Sequence, residues 1–177
     1  MIAVASSRSG RLYRRGPVSN VDVRPAQPSD VPVIIAMIRE LAEYERLSHE
    51  VVGGPEGLEE HLFGARPAAE AVIAEAGGEP IGFALFFTTF STFLCRPGLW
   101  LEDLFVRPEH RGNGAGRALL SHLAEVTLER GYARIEWAAL DWNEPARGFY
   151  EALGARPLED WVTHRLVGPG LERLAPG

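Results

Sequence analysis

Leu99-Trp-Leu-Glu-Asp-Leu-Phe-Val106, with Arg111-Gly-Asn-Gly-Ala-Gly-Arg117 close behind it, decides how the rest of the chain is read. The first stretch is a short apolar run, and it predicts a strand. The second leads straight into Leu119, Leu120, Leu123, Val126 and Leu128, whose spacing predicts a helix that stops at Gly131. A strand, a glycine loop and a helix in that order form an anion site. Without side chains at Gly112, Gly114 and Gly116, an anion can reach the backbone. There it meets the free N–H groups and positive dipole end of the first helical turn. Arg111 and Arg117 flank the loop with a charge whose geometry suits phosphate. The plain alternative is a glycine-rich turn with no ligand.

The neighbouring segments complete a mixed α/β sheet. Val21–Arg24 alternates as a short strand, and Pro28-Ser29-Asp30 opens a helix over about 30–46 with Ser29 as its N-cap. Gly53-Gly54-Pro55 breaks the chain before a short helix over Glu56–Phe63. Ala71–Ala76 and Ile81–Thr89 read as strands around the turn at Gly77-Gly78-Glu79-Pro80. Beyond Gly131, Arg134–Leu140 is a further strand. Asn143-Glu144-Pro145 caps a short helix that ends at Gly154, and Trp161–Val167 is a last strand. The order β-α-α-β-β-β-α-β-α-β fits one domain over 21–168, between a flexible Arg-rich tail at 1–20 and a C-terminal tail at 169–177.

Composition narrows the chemistry. All 18 basic residues are Arg. A P-loop and a Schiff base both require Lys, so both are excluded. The five His residues are scattered, and the single Cys95 can form neither an internal disulfide nor a cysteine zinc site. No metal is expected, and the cytoplasm is the default compartment. Residues 1–20 carry four Arg and no acid, while the net charge of the whole is −6. An acidic body disfavours nucleic acid and suits cationic small molecules. No apolar run is long enough to span a membrane.

A dinucleotide fingerprint requires GxGxxG, whereas this loop reads GxGxG, with Leu119 at the third glycine position counted from Gly114. Glu136 does fall twenty residues after Gly116, but in mid-strand, away from where a ribose would lie. Arg-Gly-Asn-Gly-Ala-Gly instead matches the acetyl-CoA motif of the GNAT acyltransferases. Four further segments, in order, resemble the diamine (spermidine/spermine) and thialysine N-acetyltransferase branch. They are Arg39-Glu-Leu-Ala-Glu-Tyr-Glu45, Leu101-Glu-Asp-Leu-Phe-Val106, Asp141-Trp-Asn-Glu-Pro145 and Phe149-Tyr-Glu-Ala-Leu-Gly-Ala155. With the loop, the resemblance covers roughly 22–166.

That resemblance implies the following roles. Leu104, Phe105 and Val106 lie on the splayed strand whose backbone pairs with the pantetheine arm. Arg111, Gly112, Asn113, Gly114, Ala115, Gly116 and Arg117 bind the pyrophosphate of acetyl-CoA. Asn143, Glu144, Pro145 and Ala146 line the CoA path, and Tyr150 stands beside the sulfur. Glu102 faces the substrate amine, with Asp103 beside it. Tyr44 and Glu45 help to hold the amine, and Glu136, Trp137 and Ala138 form another wall. The resemblance also implies a homodimer. The segment Arg156–Trp161 is shorter than the diamine enzymes' counterpart, so Glu159 or Asp160 is the candidate for the acid that contacts a polyamine there.

The residue types suit the reaction. An alkyl ammonium, with a pKa near 10, must lose a proton before it can attack a thioester. A carboxylate such as Glu102 attracts the cation and accepts that proton, directly or through water. Backbone N–H groups can stabilise the oxyanion, and a tyrosine hydroxyl such as Tyr150 can protonate the departing thiolate. Each residue also has a plainer reading: Glu102 and Asp103 as a solvated pair, Tyr150 as a core tyrosine, and Trp137 as packing. A CoA-binding regulator without turnover, or a dinucleotide oxidoreductase, are the rival functions.

Overall fold

A computed structural model describes residues 21–175; the expected tail at 1–20 and the last two residues lie outside them. The chain forms two compact units, one ending at Ala138 and one beginning at Ala139.

The first unit is built on five strands in sequence order: β1 (Val21–Pro25), β2 (Glu70–Ala76), β3 (Glu79–Ser91), β4 (Arg96–Val106) and β5 (Ile135–Trp137). Neighbours pair antiparallel except β4 with β5, which are parallel. The sheet is therefore mixed, as expected. Gly77 and Gly78, at φ 60° and 83°, make the tight turn between β2 and β3, where glycine meets the left-handed conformation without steric cost.

Helix α1 (Val31–Tyr44) and helix α2 (Pro55–Phe63) supply Ile34, Met37 and Leu62 to a buried cluster with Ala71, Ile73, Phe83 and Phe105. Helix α3 (Ala115–Glu129) packs against all five strands through a face that buries Leu119, Leu120 and Leu123. With helices packed on it in this way, β2 buries consecutive rather than alternate residues, Ala71 through Ala74.

Two expectations change in this unit. The helix entry is organised by Asp30, not Ser29. The Asp30 carboxylate accepts from the Gln27 backbone N–H at 2.7 Å and from both terminal nitrogens of Arg24 at 2.6 and 2.9 Å. Those hydrogen bonds hold the Asp30 carboxyl below its ordinary range, and a charge-assisted network outcompetes a lone serine hydroxyl. The strand expected over 134–140 shrinks to Ile135–Trp137, because its partner β4 changes course after Leu101.

In the second unit, Trp161–Val167 is exposed and belongs to no strand among the described residues. Apolar β-formers become a strand only with a ladder to join. That unit holds helix α4 (Glu144–Ala152) and helix α5 (Pro169–Leu174), the latter within the stretch expected to be a tail. No helix among the described residues is long and apolar enough to cross a membrane.

Candidate functional site

The decisive geometry lies in β4. Leu101 opposes Phe86 of β3, yet Asp103 opposes Leu85, so β4 spends two residues where β3 spends one. Glu102 is the extra residue of a β-bulge. Phe86 and Leu85 point to opposite faces of β3, so Leu101 and Asp103 also fall on opposite faces, although two residues apart. The bulge thereby buries Leu99 and Leu101 on one side of the sheet. It turns Asp103 to the side of Phe105, where α1 packs. Pairing with β5 stops at the same point: Leu101 opposite Trp137 is the last rung, and Asp103 to Val106 pair with β3 alone. This leaves the β5-side edge of Leu104, Phe105 and Val106 without a strand partner among the described residues.

Three carboxylates meet beside the bulge. Asp103 has its pKa pushed up to about 6, first by burial and then by the charges of Glu102 and Glu45. Burial also pushes Glu45 up. Glu45 is the C-cap of α1, and the next residue, Arg46, adopts a left-handed φ of 62°. Arg46 and Leu47 donate back to the carbonyls of Glu43 and Ala42, at 3.1 and 2.8 Å. This closing motif usually has glycine at the left-handed position, and it fixes where Tyr44 and Glu45 stand. Like charges packed this closely cost stability unless something positive binds among them.

Glu102 is exposed and accepts a hydrogen bond at 2.8 Å from Nε1 of Trp100. Glu136, across the ladder from Trp100, is instead bound by Nε of Arg134 at 2.7 Å. Trp137 is half-buried at the end of β5, and Ala138 follows it in the open. Neither Trp100 nor Arg134 was singled out by the sequence reading. Their position two residues before an acid on the same strand was the available signal.

The glycine loop has the conformation that its composition predicts. Gly112 and Gly114 sit at φ 77° and 90°, and Gly114 is the N-cap of α3. No side chain caps that helix start, so its first N–H groups remain available to an anion. A Cβ at Gly112 would meet nothing within 4 Å, so its glycine answers to backbone conformation rather than to packing. Gly116 lies inside the first turn of α3, and Asn113 and Arg117 are exposed.

Arg111 is engaged differently from its neighbours. Its Nε donates to the Val106 carbonyl at 2.8 Å, and its guanidinium carbon lies 4.8 Å from the Tyr44 ring centroid and 5.7 Å from that of Phe105. The loop, the end of β4 and the end of α1 are thus tied together by one side chain. Both the uncapped start of α3 and an acidic cluster therefore sit at the end of β4 that β5 leaves unpaired.

In the second unit, Asn143 is the buried N-cap of α4, and its Oδ1 accepts from the Ala146 N–H at 3.3 Å. Glu144 and Pro145 fill the first turn, where an acid and a proline both suit a helix start. Tyr150 is half-buried on α4, its ring 5.4 Å from that of Phe149. Gly154 at φ 93° ends the helix, and Ala155 donates to the Tyr150 carbonyl.

Residues 36–155 match the Acetyltransferase (GNAT) family. A thialysine N-epsilon-acetyltransferase of Sus scrofa is 39% identical over 169 residues, covering 89% of this chain and 99% of that protein. An L-ornithine N5-acetyltransferase of Arabidopsis thaliana is 30% identical, covering 86% of each. An integron cassette protein from the mobile metagenome of V. cholerae superposes with a TM-score of 0.74 at 24% identity, over 89% of this chain and 99% of its own. That last likeness speaks to the fold alone. The chain belongs to the GNAT family of acetyltransferases and is an N-acetyltransferase.

Proposed function

We propose that the chain moves the acetyl group of acetyl-CoA to a primary amine of a small cationic substrate, a polyamine or a lysine-like amino acid, by direct attack in a ternary complex. The observation that carries this reading is the trio Glu45, Glu102 and Asp103 beside the splay of β4, with the carboxyl of Asp103 pushed up to about 6 by burial and by its two acidic neighbours. A cluster that is electrostatically uncomfortable when empty favours a cation. The similar enzymes act on thialysine and on ornithine by name, and both compounds carry an aliphatic ammonium.

The residues present fit acetyl-CoA. The uncapped start of α3 behind Gly112 and Gly114 suits a pyrophosphate, and the open edge of β4 from Leu104 to Val106 suits an amide-bearing arm. In this reading, Glu102 accepts the ammonium proton and Tyr150 returns one to the thiolate. Tyr44, Glu45 and Asp103 hold the cation, and Asn143 to Ala146 line the CoA path. Trp137 and Ala138 wall the acceptor. Glu136 shares that wall, with its charge answered by Arg134. A homodimer in the cytoplasm completes the proposal, with Glu159 or Asp160 near a polyamine.

The test is release of free CoA thiol from acetyl-CoA with spermidine, putrescine, lysine, thialysine and small aryl amines. Turnover should favour the aliphatic cations. Absence of thiol release with every amine would sink the proposal.

A further inference from the structure

We infer that Trp100 is a positioning residue for the acid at the bulge: its indole N–H holds the Glu102 carboxylate in place without cancelling its charge. The inference rests on Glu102 being the acid that meets the amine.

Two neighbouring strands of this unit carry the same local device with opposite electrical results. On β4, Trp100 donates to Glu102, two residues on, at 2.8 Å. On β5, Arg134 donates to Glu136, again two residues on, at 2.7 Å. Trp100 and Glu136 oppose each other in the ladder, so the pairs lie side by side. Arginine brings a full positive charge, and Glu136 with Arg134 is neutral as a unit. An indole N–H is a neutral donor, so Glu102 keeps its negative charge while losing its freedom to rotate. An incoming ammonium therefore meets an acid at Glu102 and a spent one at Glu136.

Glu102 also needs restraint. It is exposed, it lies on a bulge where the ladder is interrupted, and Asp103 beside it bears like charge. A free glutamate there would swing into solvent to escape that repulsion. The tryptophan N–H opposes the swing, and the ring's size lets it reach the next same-side position along the strand.

The test measures steady-state kinetics with a cationic amine such as spermidine or thialysine, in single and paired variants. Trp100→Phe keeps a ring and removes the donor. It should lower kcat/KM for the amine roughly tenfold, the scale of a hydrogen bond to a charged group, and leave the KM for acetyl-CoA within about twofold. Trp100→Arg keeps a donor but adds charge. It should raise the amine KM further still, by making Glu102 resemble Glu136. In a Glu102→Ala background, Trp100→Phe should cost nothing more, because neighbouring groups that act through one interaction are not additive.

A full tenfold loss in that background would overturn the inference and make Trp100 a packing residue. Unchanged amine kinetics in both Trp100 variants, with Glu102→Ala still damaging, would overturn this inference alone. A harmless Glu102→Ala would overturn it together with the assignment of Glu102. Thermal melts of each variant separate lost folding from lost positioning.

Discussion

Replacing Asp103 with Asn should make the fold more stable near pH 8 and change it little near pH 4. The carboxyl titrates at about 6 in the folded chain, against an ordinary 3.8, because burial, Glu102 and Glu45 all oppose its charge. Between those two values the folded state holds a proton that the unfolded state has released. Stability is therefore fully present below about 4 and falls as pH rises through 6. A shift of about two units corresponds to at most about 3 kcal/mol, at roughly 1.4 kcal/mol per unit. Solvent reaches this half-buried group, which brings the expected figure to about 2 kcal/mol. For a chain of this size, each kcal/mol moves the melting temperature by about 2–4 °C. The Asn variant should then melt about 4–8 °C above the wild type at pH 8, and the gap should close at pH 4. Circular-dichroism melts of both proteins at the two pH values, on either side of the isoelectric point near 5.4, provide the measurement. Subtracting the two proteins removes the carboxylates they share. An identical gap at both pH values would show that Asp103 carries no charge penalty, and the acidic trio would lose its physical basis.

Gly114→Val places a β-branched residue at φ 90°, a conformation that costs on the order of 1–3 kcal/mol. It should weaken CoA binding more than tenfold by calorimetry, and normal binding would refute the loop assignment. Tyr150→Phe should lower turnover by about 100-fold while CoA affinity stays within about twofold, the pattern of a lost proton donor. Unchanged turnover would remove Tyr150 from the chemistry. Asn143→Ala deletes the carbonyl that accepts from Ala146 and should cost about 1 kcal/mol. It should also speed hydrogen exchange in the first turn of α4, and unaltered exchange there would deny Asn143 its capping role.

The strand, loop and helix around Arg111 were legible because each rests on local rules. Gly112 and Gly114 stand where backbone conformation requires glycine, and Leu119, Leu120 and Leu123 keep helical spacing. What escaped the sequence depends on pairing between distant residues. Leu99-Trp-Leu-Glu-Asp-Leu-Phe-Val106 reads as one uninterrupted strand, because a bulge leaves no mark in composition. Only the register against β3 shows that Glu102 is supernumerary.

The same bulge explains the shortened β5, since a parallel neighbour cannot follow a strand that changes course. It also explains why two adjacent acids can serve one site, where strict alternation would have sent them to opposite faces. Trp161–Val167 failed for a related reason: its side chains favour a strand, but propensity names no partner. Trp100 and Arg134 went unremarked because their meaning lies in contrast. Only when the two strands are laid side by side does a neutral donor on one acid and a cationic donor on the other become a difference in what each acid can still bind.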